Sequence, residues 1–287
     1  MNSIKLVGAI AFLVALSAMA SEISPKKSNF HPYDGPKPLF VWIESDPWAS
    51  LIGSDTPMVA LYETGQVIYV RKDRGKYVYY SCMLDGARLA EFKRDIAAAV
   101  GLNALKPYYS LAPNVTDQPI AEYYMDAGEV SKATEIYAFP ADQRLAVYTV
   151  MPGETKPDVI PAQLTTLDSY LRNIDSPLCI SWNPQYIEVV AWPAGDKYAS
   201  QIAAPVSWPA DWPGTNSDHA IAHSHDGMYS IYLDSKELPK LKKLLAPIRK
   251  GGAMMFEGKK WFLTYRPVLP GEPIWREAFE KIEEQQQ

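Results

Sequence analysis

The chain has 287 residues and a net charge of −5, with 28 lysine and arginine against 33 aspartate and glutamate residues. That balance argues against a nucleic-acid binder, which shows a basic excess. The 47% hydrophobic content is that of an ordinary globular protein, and 18 tyrosines with 8 tryptophans point to strands with half-buried faces.

Residues 1–20 have the layout of a secretory signal. Lys5 supplies the positive end, an apolar run follows, and Ala18-Met19-Ala20 satisfies the small-x-small cleavage pattern. The mature chain is expected to begin at Ser21, in the periplasm or outside the cell. No later segment is apolar enough to anchor it in a bilayer. Residues 21–38 are polar and proline-rich, which predicts an extended lead-in.

A first α+β lobe is expected over residues 39–150. "LFVWIES" predicts a strand, and residues 58–84 hold three β-rich runs broken at Thr64-Gly65 and at "KDRG", the pattern of an antiparallel meander. Asp85 can cap a helix with Leu89, Phe92 and Ile96 on one face and Gly101 as its stop. "IAEYYMDAGEV", "TEIYAFP" and "RLAVYTV" predict further strands.

The second lobe is expected over residues 151–276, with a helix at "PAQLTTLDSYLRNI" carrying Leu164, Leu167 and Leu171. Tyr80–Ile96 and Tyr229–Leu245 match at six of 17 positions at a constant offset of 149. Chance gives roughly one such identity at ordinary residue frequencies. Two readings stand. Either the lobes are duplicates, or strand, Asp cap and amphipathic helix have converged as a common unit. Both make the fold class α+β, with antiparallel meanders each followed by a packed helix. The hairpin signal around Glu257-Gly258 precedes residues 277–287, a charged tail.

"LYETGQVIYV", a helix, "GLNAL" and "VTDQP" resemble a family of uncharacterised exported bacterial proteins. Those carry a Leu-Tyr-x-x-Gly-x-Val-Ile hairpin, then a helix and a Thr-Asp pair. The resemblance covers about residues 57–140. It implies the order of elements and export, and it brings no activity and no catalytic residue.

Three candidate sites emerge. Cys82 and Cys179 are the two cysteines; in an oxidising compartment they can pair, or both can be buried thiols. His219, His223 and His225 share strand parity, so a metal site with help from Asp218 or Asp226 competes with an exposed polar loop. Trp182, Trp192, Trp208 and Trp212 each lie near a proline and could stack on a sugar or grip a peptide, or close over a core.

No catalytic motif is complete. His-Glu-x-x-His and Gly-x-Ser-x-Gly are missing, and "GAMMFEGKK" has the wrong spacing for a phosphate loop. Whether the chain is an enzyme stays open, and no cofactor is expected. The reading favoured by export and aromatic content is a non-enzymatic module that binds a protein or polysaccharide partner in the envelope. The alternative is an envelope-acting hydrolase or a metal-binding periplasmic protein using the histidine cluster.

Overall fold

The computed structural model describes residues 30–46, 55–73, 76–101, 105–139, 155–172, 179–195, 205–223, 227–248 and 252–286. Residues 1–20, expected to be a signal, most of the lead-in, the strand expected at "RLAVYTV", and His225 and Asp226 lie outside these residues. The fold is α+β, and two sheets carry it.

The first sheet begins with β1 (Pro38–Ser45), β2 (Val59–Tyr62), β3 (Gln66–Asp73) and β4 (Lys76–Met83), an antiparallel run in chain order. Gly65 turns β2 into β3 at φ 85°, donating its N–H to the Tyr62 carbonyl. A side chain is strained in that conformation, which is why glycine stands there. Beyond β1 lie β6 (Ile120–Asp126), β7 (Ser131–Tyr137) and β5 (Tyr108–Ser110), and β8 (Ile180–Ser181) forms the opposite edge beside β4.

Between β4 and β5 runs α1 (Gly86–Val100), and the Asp85 carboxylate accepts from the Arg88 N–H at 2.8 Å. That bond satisfies one of the free donors of the first turn. Phe92 and Ile96 of α1, with Leu164 and Leu167 of α2 (Ala162–Arg172), cover Phe40, Trp42, Val67 and Tyr69. Each such side chain removed from water contributes roughly 1.5–3 kcal/mol.

The second sheet runs β10 (Val206–Ser207), β13 (Met254–Phe256), β14 (Lys259–Pro267), β9 (Tyr186–Pro193), β12 (Tyr229–Asp234) and β11 (Ala220–Ala222). Glu257 and Gly258 turn β13 into β14, both at positive φ, as a tight two-residue hairpin needs. One face is covered by α3 (Leu238–Ile248), whose Leu241 and Leu245 meet Ile187, Val189, Ile231 and Leu233.

Both matched segments fold as strand, then aspartate, then helix. Asp234 caps a short 3-10 turn, accepting from the Lys236 N–H, before α3 begins. The delay follows from Pro239, which a helix tolerates only in its first turn. Each strand also pairs with its chain predecessor, β4 with β3 and β12 with β11. Their outer neighbours differ: β4 has the two-residue β8, and β12 has the long β9.

The lobes divide elsewhere than at residue 150. α2 and β8 belong to the first sheet and its core, so sheet membership changes between Ser181 and Tyr186. The end of the chain also returns to the first sheet. Within residues 277–287, read as a charged tail, residues 277–286 continue α4 (Glu272–Gln286). Trp275, Phe279 and Ile282 of that helix bury against Val41, Ile43, Ile68, Val70 and Tyr124. Spacing of four and three places these apolar residues on one stripe, with the charges facing out.

Candidate functional site on the second sheet opposite α3

Alternation along β9 sends Ile187, Val189 and Ala191 toward α3 and Glu188, Val190 and Trp192 to the opposite face. Glu188 is directly opposite Tyr232 of β12 and Arg266 of β14. Burying charge in a strand is costly unless the charge is paired, and here a chain of partners does the pairing.

Arg266 donates through both terminal nitrogens to the two Glu272 oxygens at 2.8 Å. It also contacts Glu188 as an ion pair. Glu272 accepts in addition from the Leu269 N–H at 2.8 Å and from Arg276 at 3.1 Å. Arg276 reaches Asp55 at 2.9 Å. Burial alone would lower the Arg266 pKa; Glu272 and Glu188 outweigh it and hold the guanidinium charged. The cluster sits where β14 leaves the second sheet and the chain enters α4 on the first, so it ties the two layers together.

On the other side of Glu188, Ser230 donates to the carboxylate, and His223 Nε2 lies 2.7 Å from the same hydroxyl. A hydroxyl has one proton to give. With that proton on Glu188, the Ser230 oxygen accepts from a protonated Nε2 of His223. A nucleophilic serine needs the reverse, a histidine nitrogen accepting from the hydroxyl. Ser230 is buried as well, whereas His223 is exposed.

Above Glu188 the lead-in crosses the sheet. The Tyr33 and Tyr232 hydroxyls share a short hydrogen bond. Burial, then the Glu188 charge, pushes Tyr33 up to about 12, although the Tyr232 bond works against the shift. Tyr232 is raised further by the same two causes. Next to them the Phe30 ring stacks on His219 at 4.0 Å, and Tyr186 meets Phe30 edge-on at 5.0 Å. Three distant segments thus converge on one partly exposed aromatic strip, bordered by the exposed Ile221 and His223. The lead-in is therefore part of the packed structure from Phe30 onward.

His219 and His223 do share a face, as strand parity requires, but they take different partners, a phenyl ring and a serine. Neither is a freely solvated loop imidazole. Among the described residues no group of three or more His, Cys, Asp or Glu side chains is placed to hold a metal ion.

The four tryptophans do not share a surface. Trp208 and Trp212 are buried under α3, with their ring centroids 5.0 Å apart. Trp208 donates to the Pro213 carbonyl and Trp212 to Glu237, both at 3.0 Å. Trp182 leans on Tyr79 of the first sheet, and Trp192 pairs with Phe262. Cys82 and Cys179 are joined by a disulfide that fastens β8 to β4.

Sequence reasoning passed over Glu188, Ser230, Arg266 and Glu272. A signal existed: Glu188 in "YIEVVAWP" and Arg266 in "TYRPVL" are isolated charges in apolar strands, and such charges need each other.

No protein-family model matches this chain, and no curated protein or solved structure matches it.

Proposed function

We propose that this chain is an exported, non-enzymatic binding module, and that the strip of Phe30, Tyr186, His219 and Ile221 receives a macromolecular partner of the envelope. The observation that carries the reading is the convergence itself. Aromatic rings from the lead-in, β9 and the approach to β11 meet on the side of the second sheet opposite α3, beside a buried ion-pair cluster. Rigid, half-exposed aromatics give contact area at low entropy cost, and an exposed Ile221 extends it.

The test uses the mature chain on a sensor surface, presented in turn with purified peptidoglycan fragments and with solubilised envelope protein. One of the two should be retained, and Ile221→Asp should abolish retention while leaving thermal unfolding unchanged. Equal retention by the variant overturns the reading.

A second reading rests on the contact between His223 and Ser230, the nearest approach to a hydrolase pair. It requires Ser230 to turn its proton from Glu188 to His223. Hydrolysis of envelope polymer or ester substrates that disappears in both Ser230→Ala and His223→Ala would establish it in place of the first.

A further inference from the structure

The face of the second sheet opposite the aromatic strip carries α3, and its charge is unlike that of the rest of the molecule. Residues 236–260 hold eight basic and two acidic side chains against a net charge of −11 for the rest of the chain; of the eight, Lys240, Lys242, Lys243 and Lys259 stand exposed on this side, while Lys260 faces the other way by strand alternation. α3 itself, "LPKLKKLLAPI", has no aspartate or glutamate. Leu241 and Leu245 are buried, and the outward side presents Lys240, Lys242 and Lys243. Lys240 pairs with Asp211 at 3.1 Å and lies over the Trp212 ring at 4.9 Å. Lys242 and Lys243 have no ion-pair partner among the described residues. Lys259, exposed on β14, is on the same side of the sheet by strand alternation.

We propose that this face docks on a bilayer surface of anionic phospholipid. The occupant follows from the chemistry of the patch. The charges it exposes, Lys240, Lys242, Lys243 and Lys259, are compact point charges that attract a diffuse anionic surface; the planar fork that grips a single phosphate or carboxylate is arginine's. The exposed side of α3 has no aromatic ring, so it lacks the platform on which bases or sugar rings stack. The apolar stripe of α3 is already spent on the core, so the helix lies against headgroups without inserting. An acidic body behind the patch is repelled by the same bilayer, which orients the molecule with α3 toward it and the aromatic strip away. The inference stands on a different surface from the proposed partner site and does not depend on it.

The experiment is co-sedimentation of the mature chain with phosphatidylglycerol–phosphatidylcholine vesicles and with pure phosphatidylcholine vesicles. Each lysine near an anionic surface changes partitioning by about fivefold. Wild type should sediment with the anionic vesicles at low salt, and the association should fade at high salt as screening shortens its reach. Lys242→Glu with Lys243→Glu should lower it by more than about tenfold, and Lys242→Gln with Lys243→Gln should fall in between. Both pairs should unfold at the wild-type temperature, since the two side chains are exposed. Failure to sediment with anionic vesicles, equal binding to neutral vesicles, or binding unchanged in either pair overturns the proposal. So does tighter retention on duplex DNA or on a dissolved acidic polysaccharide than on the vesicles.

Discussion

Arg266 and Glu272 meet through two parallel hydrogen bonds of 2.8 Å, six residues apart across the turn from β14 into α4. Both are buried, and each has a further charged neighbour, Glu188 for the arginine and Arg276 for the glutamate. The pair is the point at which the second sheet hands the chain back to the first. Its contribution lies in geometry as much as in energy, because a buried pair barely repays its own desolvation but is costly to break.

Breaking that pair should therefore be severe. Arg266→Met leaves Glu188 without its cation and Glu272 with Arg276 alone, and the expected loss is about 3–5 kcal/mol in urea unfolding at neutral pH. Adding Glu188→Gln to Arg266→Met should recover part of the loss, because it removes the uncompensated charge. A double variant no more stable than Arg266→Met would contradict this account.

Alkaline stability should depend on Tyr33. Its hydroxyl is held at about 12 in the folded chain by burial and by Glu188, against about 10 when unfolded. A raised folded pKa means the contribution is complete below about 10 and is lost as pH rises through about 12. Unfolding free energy should fall over that interval, and Tyr33→Phe should flatten the fall. An unchanged slope in the variant would remove Tyr33 as a cause.

The disulfide should matter well beyond its two residues. Cys82 and Cys179 are 97 apart in sequence, and closing a loop of that size is worth about 4–5 kcal/mol in the chain-entropy model. Replacing both with alanine should lower stability by an amount of that order. β8, which pairs with β4 through only two residues, should then exchange its amide protons freely. Retained protection at Ile180 would show that β8 holds without its tether.

Local elements were legible because their signals are local. Asp85, the stripe of Leu89, Phe92 and Ile96, and Gly101 marked α1 from end to end. What escaped depends on pairs far apart in the chain. Glu188 and Arg266 each stand out as an isolated charge in an apolar strand, but only the β9–β14 register makes them partners of one another. α4 was obscured for a different reason. Trp275, its first buried anchor, was assigned to the lobe before it, and the glutamates and lysine among Phe279 and Ile282 gave the rest the look of a solvated tail. The candidate site inherits the same limit: His219 and His223 stood out by composition, whereas Ser230 and Phe30 acquire meaning only from what they touch.

Ser230 and His223 share one hydrogen bond but should not share one consequence. Ser230→Ala removes the donor on which a buried Glu188 oxygen depends, and a buried acceptor left without its partner costs about 1–3 kcal/mol. His223→Ala removes an exposed imidazole, and Ser230 keeps its bond to Glu188, so the cost should stay within about 0.5–1.5 kcal/mol, that of one ordinary hydrogen bond. Zinc separates the two histidine readings in the same assay. A site built on His219, His223 and His225 would raise the melting temperature at micromolar zinc, since stabilisation grows with the ratio of ligand to its dissociation constant. Stacking of His219 on Phe30 and bonding of His223 to Ser230 predict no such rise. A micromolar shift that vanishes when all three histidines become alanine would move the cluster from scaffold to metal site, and equal costs for Ser230→Ala and His223→Ala would undo the assignment of the serine proton to Glu188.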